Sequence, residues 1–294
     1  MIIRNSINSE QVSSRVNDVI YAIHKDISAD HNAKNLAKIA AYSEQHFHRV
    51  FKSVVGETLH GYITRIRMEY AANQLMFEPS LTVLEVANRC GFSSPSSFSR
   101  AFKSVFQVSP GQWCETRNSD KPYLSDPEIA KCYEKLNVSD IPKVSLVECE
   151  PIRVAYIRHK GYGRAIRQTW LKLNSWAKQD GRVNSRQFGL HHSNPVWTSL
   201  DECRYVACIE INHPLSRRGA VNEMFIPGGL YAKFHITGHY GELLPNISLI
   251  QEHWLPQSGM KMRSTPGYVE YKKNHFIEED ENFELDFYLP IGFF

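Results

Sequence analysis

The chain repeats itself twice, at two unrelated offsets, and that demands two separate folding units. Phe47-His48-Arg49-Val50-Phe51-Lys52-Ser53-Val54 lies on Phe98-Ser99-Arg100-Ala101-Phe102-Lys103-Ser104-Val105 at an offset of 51, with six of the eight positions identical. Further along, Tyr162-Gly163 lies on Tyr240-Gly241, Leu171 on Leu249, Trp176 on Trp254, Gln179 on Gln257, Gly181 on Gly259 and Gly189 on Gly267, all at an offset of 78. A constant offset marks two copies of one supersecondary unit. One pair of copies cannot serve both periods, and 294 residues suffice for two hydrophobic cores.

In the first half the periodicity is helical. Val12, Val16, Val19, Ile20, Ile23 and Ile27 form one apolar face. Residues 36–41 and then Glu44 to Val55, capped by Ser43, read as two short helices around a tight turn, a helix-turn-helix pattern. Thr58 caps a longer helix reaching Met76, which at 1.5 Å per residue would be about 27 Å long. After Pro79 the pattern returns: a helix from Thr82 to Arg89, a turn at Cys90-Gly91-Phe92, a cap at Ser94 with Pro95 in the first helical position, and a helix to Phe106. We expect a double helix-turn-helix domain over residues 8–117.

Such units place their second helix in the major groove of double-stranded DNA, where three or four side chains reach base edges. In the first copy Gln45, His48 and Arg49 share the polar face, with Phe47, Val50, Phe51 and Val54 expected inward. In the second, Ser96, Ser97 and Arg100 take the corresponding places, and Lys52 and Lys103 suit phosphate contacts. For any one such helix a solvated polar face is the better explanation; two copies that keep an outward Arg at the same place favour DNA. Charge distribution agrees. The net charge of the whole chain is +3, whereas Lys34 to Arg117 holds ten Lys and Arg against six Glu and no Asp. A basic segment gains affinity for phosphates by releasing their counterions.

Residues 118–143, rich in Ser, Asp, Asn and Pro, read as a linker with one short helix around Glu128 to Leu136. From Val144 onward, strand-like and helical runs alternate. Each copy of the second repeat reads strand, Tyr-Gly loop, helix ending near Gly, strand, strand. The expected fold class is therefore multidomain: an all-α double helix-turn-helix domain followed, over 144–294, by an α+β domain of duplicated strand-helix-strand-strand modules with a cleft between them.

The segment 82–113, TVLEVANRCGFSSPSSFSRAFKSVFQVSPGQW, resembles the AraC/XylS family of transcription regulators at Ala87, Gly91-Phe92, Ser94, Phe98, Arg100, Phe102-Lys103 and Pro110. Residues 36–75 resemble its first unit, with Ala41 where a turn Gly is usual. The second half resembles the GyrI-like effector-binding domain at Pro227-Gly228-Gly229, Tyr240-Gly241, Trp254 to Gly259, Gly267-x-x-Glu270-Tyr271 and Leu289-Pro290-Ile291. The resemblance implies a promoter regulator, an activator, with RNA polymerase as a partner and a small-molecule effector bound by the second domain.

Aromatic walls and a few polar groups make a small-molecule cleft. Tyr162, Trp170, Tyr240, Trp254 and Tyr268 are the expected walls. Glu270 corresponds to the acid that the resemblance assigns to cationic ligands, and a small cationic aromatic or lipophilic effector would suit it. The recurrence of Trp176 and Trp254 in both copies also fits core packing, and Glu270 also fits a strand-edge acid. Two other readings of the second half stay open: a protein-interaction or sequestration module without small ligand, and a hydrolase. No G-x-S-x-G, phosphate loop or H-E-x-x-H is present, so no catalytic residues are expected. The six cysteines are scattered without zinc-ligand spacing, and neither metal nor cofactor is expected. No apolar run approaches the roughly 18 residues that cross a bilayer, so we expect a cytoplasmic protein with no membrane partner.

Overall fold

The computed structural model describes residues 2–78, 80–115, 122–182, 184–215, 220–263 and 265–293. The chain divides into two compact units, Met1–Asn118 with Leu215–Asn222, and Ser119–Pro214 with Glu223–Phe294. Among the described residues no helix is long and apolar enough to cross a membrane.

The first unit is helical: α1 Ile2–Lys25, α2 Ala33–Ile39, α3 Glu44–Val55, α4 Leu59–Phe77, α5 Val83–Arg89, α6 Pro95–Phe106 and α7 Pro110–Glu115. Caps set their boundaries. The Asn32, Thr58 and Ser94 side chains accept from the backbone N–H three residues on, and Thr82 and Glu85 form a reciprocal capping box. The apolar stripe of α1 packs with α2, α3 and the start of α4 around Val16, Val19, Ile23, Leu36, Phe47 and Phe51. The far end of α4 packs on α5, α6 and α7, where Phe98, Phe102, Phe106 and Trp113 form a chain of ring contacts.

The 51-residue offset relates α3 to α6 at both ends, whereas α2 and α5 are 50 apart. The second turn is one residue longer, the extra residue being Ser93. Both turns need the left-handed backbone conformation, at φ 54° for Ala41 and 71° for Gly91. Ala41 therefore carries the steric strain that a glycine avoids.

The second unit begins with α8 Pro127–Tyr133, inside the stretch expected as linker; Ile129 on it is buried. Then follow β1 Val144–Cys149, β2 Ile152–Lys160, α9 Ile166–Gln179, β3 Gln187–His191, β4 Arg204–Glu210, β5 Asn222–Ile226, β6 Gly229–His239, α10 Leu243–Leu249, β7 Met260–Met262, β8 Gly267–Lys273 and β9 Asn282–Phe293. The 78-residue offset carries β1, β2, α9 and β4 onto β5, β6, the α10 helix and β9. Each module thus has a leading strand beyond the expected four elements. The copies differ where Pro256 replaces Lys178: α10 widens into a π-turn over Ile250–Trp254 before its last turn at Leu255–Gln257. Proline has no N–H and crowds the carbonyl four residues back, which the wider turn relieves.

The strands join in the order β1-β6-β9-β8-β3-β4-β2-β5, with β7 on β9. The modules meet at the antiparallel β3–β8 pair, Gly189 opposite Val269. The leading strands are exchanged, so β1 pairs with β6 of the second module and β5 with β2 of the first. In a flat sheet the six spacings between β1 and β2 would separate them by about 29 Å. Residues 150–151 join them and span at most about 10 Å. The sheet is therefore curled until its ends meet. There a side chain at Gly228 would sit 2.6 Å from the Cys149 carbonyl oxygen, so this crossing requires glycine.

Candidate functional site

Phe47 and Phe51 are fully buried in α3, as are Phe98 and Phe102 in α6, and this locks the rotation of each helix. Gln45, His48, Arg49 and Lys52 are consequently exposed, and so are Ser96, Arg100 and Lys103. Arg49, Lys52, Arg100 and Lys103 have no ion-pair partner among the described residues. Arg100 makes only a long contact from Nε to the Ser96 carbonyl, 3.4 Å. Two expectations change. Ser97 is half-buried, and its hydroxyl donates to the Ser94 carbonyl at 2.9 Å while its N–H donates to Ser94 Oγ, so it serves the helix start. Val54, expected inward, is 37% exposed and its counterpart Val105 is 38% exposed, because the last turn of each helix runs past the core.

Arg67, whose partners are all distant in sequence, joins the two helix-turn-helix lobes. From the middle of α4 it donates to the carbonyls of Ile27 at 3.0 Å and Ala29 at 2.8 Å in the α1–α2 loop, and to Gly91 at 3.4 Å in the second turn. A side chain at Gly91 would collide with the Ser28 carbonyl, so loop and turn are in direct contact.

In the second unit the expected ligand residues fall into three places. Tyr162 and Tyr240 come together, with Gly163 and Gly241 and with Ile166 and Leu244, around one half-open pocket. Its walls thus come from matching positions of the two modules, with Ile129 of α8 at its edge. Trp170 and Trp254 do not line it. Trp170 is fully buried, donating from Nε1 to Tyr205 Oη at 3.1 Å, and Trp254 packs edge-on against Phe234 at 5.0 Å.

Tyr268 and Glu270 lie on the other face of the sheet, because successive residues of β8 alternate and Tyr271 contacts Trp170 on the helix side. Tyr268 stacks on Tyr288 at 4.5 Å and meets Tyr231 and Phe188 edge-on. Glu270 is 5% exposed. Arg186 grips it with a fork, Nε to Oε1 at 2.9 Å and Nη2 to Oε2 at 3.0 Å; Lys272 donates at 2.8 Å and the Tyr288 hydroxyl at 3.2 Å. Burial alone would raise its pKa, but hydrogen bonds and charge from Arg186 and Lys272 outweigh that and bring it down to about 2. Arg186 also lies 4.9 Å above the Phe188 ring. The expected cation seat is therefore filled by a side chain of the protein itself. Alternation along β9 could have pointed to Tyr288, but nothing local linked Arg186 to a residue 84 positions away.

A GyrI-like small molecule binding domain matches residues 142–292, and a helix-turn-helix domain of AraC type matches residues 36–116. The probable transcriptional regulator YgiV of Escherichia coli K12 is 28% identical over 153 residues, 51% of this chain and 96% of that protein. The probable transcription factor PqrA of Proteus vulgaris is 32% identical over 102 residues, 34% of this chain and 83% of that protein. Among solved structures, an EcmrR–DNA complex covers 89% of this chain and 99% of its own at 12% identity and a TM-score of 0.43. With one domain model spanning half the chain and the other preceding it, this chain belongs to the GyrI-like small molecule binding domain family and carries an AraC-type helix-turn-helix domain ahead of that domain.

Proposed function

We propose that this chain is a ligand-modulated transcription regulator of the cytoplasm, an activator that works with RNA polymerase, and not an enzyme. The observation that carries the reading is the repetition of α3 in α6, each with an outward Arg and Lys that have no ion-pair partner among the described residues. Gln45, His48 and Arg49 would read base edges from the first helix, Ser96 and Arg100 from the second, with Lys52 and Lys103 on phosphates. The names of YgiV and PqrA point the same way. Selecting fragments from random double-stranded DNA with the full chain, then footprinting the enriched site, tests this. Two protected segments about one helical turn apart are expected; failure to enrich any sequence over bulk DNA would refute it.

For the effector we favour a small lipophilic aromatic cation at Glu270, attracted by the carboxylate and by the rings of Tyr268, Tyr288 and Phe188. Arg186 already makes both kinds of contact, so the ligand must take its place. Arg186→Ala is expected to tighten binding of such a cation in a calorimetric titration, and Glu270→Gln to abolish it. Weaker binding by the Arg186 variant would exclude the exchange.

A further inference from the structure

The pocket between Tyr162 and Tyr240 contains a feature that neither DNA reading nor the Glu270 cluster uses. His275 is 5% exposed, and its Nδ1 is buried without a hydrogen-bond partner. Both ring nitrogens of His191, on the same pocket, are likewise buried and without partners. The neighbouring Trp170–Tyr205–Tyr271 series, by contrast, is joined by hydrogen bonds. An orphaned buried polar group typically costs about 1–3 kcal/mol, so three such atoms on two residues that line one pocket are groups whose pairing an occupant would restore. We propose that this pocket is a second small-molecule site, for an uncharged compound of one or two rings carrying a hydroxyl or N–H group.

The chemistry of the lining sets that class. Burial holds both imidazoles neutral, His191 down at about 4 and His275 down at about 3. A neutral imidazole offers one donor and one acceptor and no charge for an anion. The acids nearby are committed: Arg164 bridges Glu128 of α8 and Glu281, at 2.8 Å to each, and lies 3.8 Å over the Tyr240 ring. The remaining walls, Ile129, Ile166, Leu243, Leu244 and Phe276, are apolar and suit a ring system. The Glu128–Arg164–Glu281 bridge also latches α8 over the site. In the chain α8 follows the last helix of the DNA-binding domain, α7, so an occupant pressing on Ile129 acts on the segment that connects the two domains.

The full chain is to be titrated near neutral pH with 2-naphthol, indole and phenol, followed by calorimetry and by the imidazole ¹⁵N resonances. Saturable binding with shifts at His191 and His275 is expected. His275→Phe keeps the ring packing against Phe276 and removes both nitrogens, and should weaken 2-naphthol at least tenfold; Ile166→Trp should block the pocket. A lipophilic aromatic cation should not compete, which separates this site from the one at Glu270. No saturable binding by any of the three probes, or equal affinity in wild type and His275→Phe, overturns the proposal.

Discussion

At the residue scale, matched positions in the two copies act as internal controls. Ala41 and Gly91 occupy the same left-handed turn, and a side chain at Gly91 would press against the Ser28 carbonyl. Ala41→Gly is expected to stabilise the chain by about 1 kcal/mol, since relieved strain exceeds the added unfolded-state entropy. Gly91→Ala should cost about 3 kcal/mol or more, because backbone strain and the collision with Ser28 add. Denaturant midpoints of the two variants check both signs. A second residue-level test uses protons. Glu270 titrates at about 2 when folded against a usual 4.5, so its ion pairs contribute stability that is whole above about pH 4.5 and is lost as pH falls towards 2. His275, at about 3 against 6.5, stays neutral in the fold, so stability also declines as pH falls from about 6.5 towards 3. His275→Phe should flatten the loss between pH 6 and 5, and unfolding curves across that range read it. The outward Arg and Lys were legible in the sequence because helical period alone fixes a face. The partners of Glu270 and the orphaned histidines were not, because they depend on contacts between distant strands and recur in neither repeat.

At the element scale, α4 does more than space the two reading helices. Its cap and its length of about 27 Å were legible in the sequence, yet the geometry between the lobes passes through Arg67, whose carbonyl partners lie 24 to 40 positions away. Hydrogen bonds to a charged group are worth about 1.5–3 kcal/mol, and Arg67 makes three, one of them long. Arg67→Ala is expected to destabilise the first unit by about 2–3 kcal/mol and to uncouple the lobes. Footprints of the variant should then keep one protected half-site and lose the other, where a purely structural loss would weaken both in parallel. Arg49→Ala and Arg100→Ala should each cost about 1–3 kcal/mol at a cognate site, whereas Lys52→Ala should lower the salt slope of binding by about 0.9 on all sequences. Affinity measured at several salt concentrations separates these roles.

At the scale of the whole molecule, the 78-residue repeat disclosed two equal modules but not how they are joined, because an offset states that copies match and not which copy a strand pairs with. The exchange of β1 and β5 makes the joining reciprocal. Each module gives its leading strand to its neighbour, and each long strand, β2 or β6, takes its outer partner from the other copy. A fragment ending before β5 would leave β1 with no β6 to pair with, β2 with a bare edge and β3 without β8. Apolar faces such as Phe188 and Leu190 on β3 would lose much of their cover. Exposed strand edges of this kind favour association over folding. Residues 122–214 alone are therefore expected to be unfolded or aggregated by circular dichroism and sedimentation, while residues 122–293, which keep both exchanged strands, should unfold in one cooperative transition. A folded, monomeric 122–214 would mean that the modules are independent, and the curled sheet could not then be the device that brings Tyr162 and Tyr240 to one pocket.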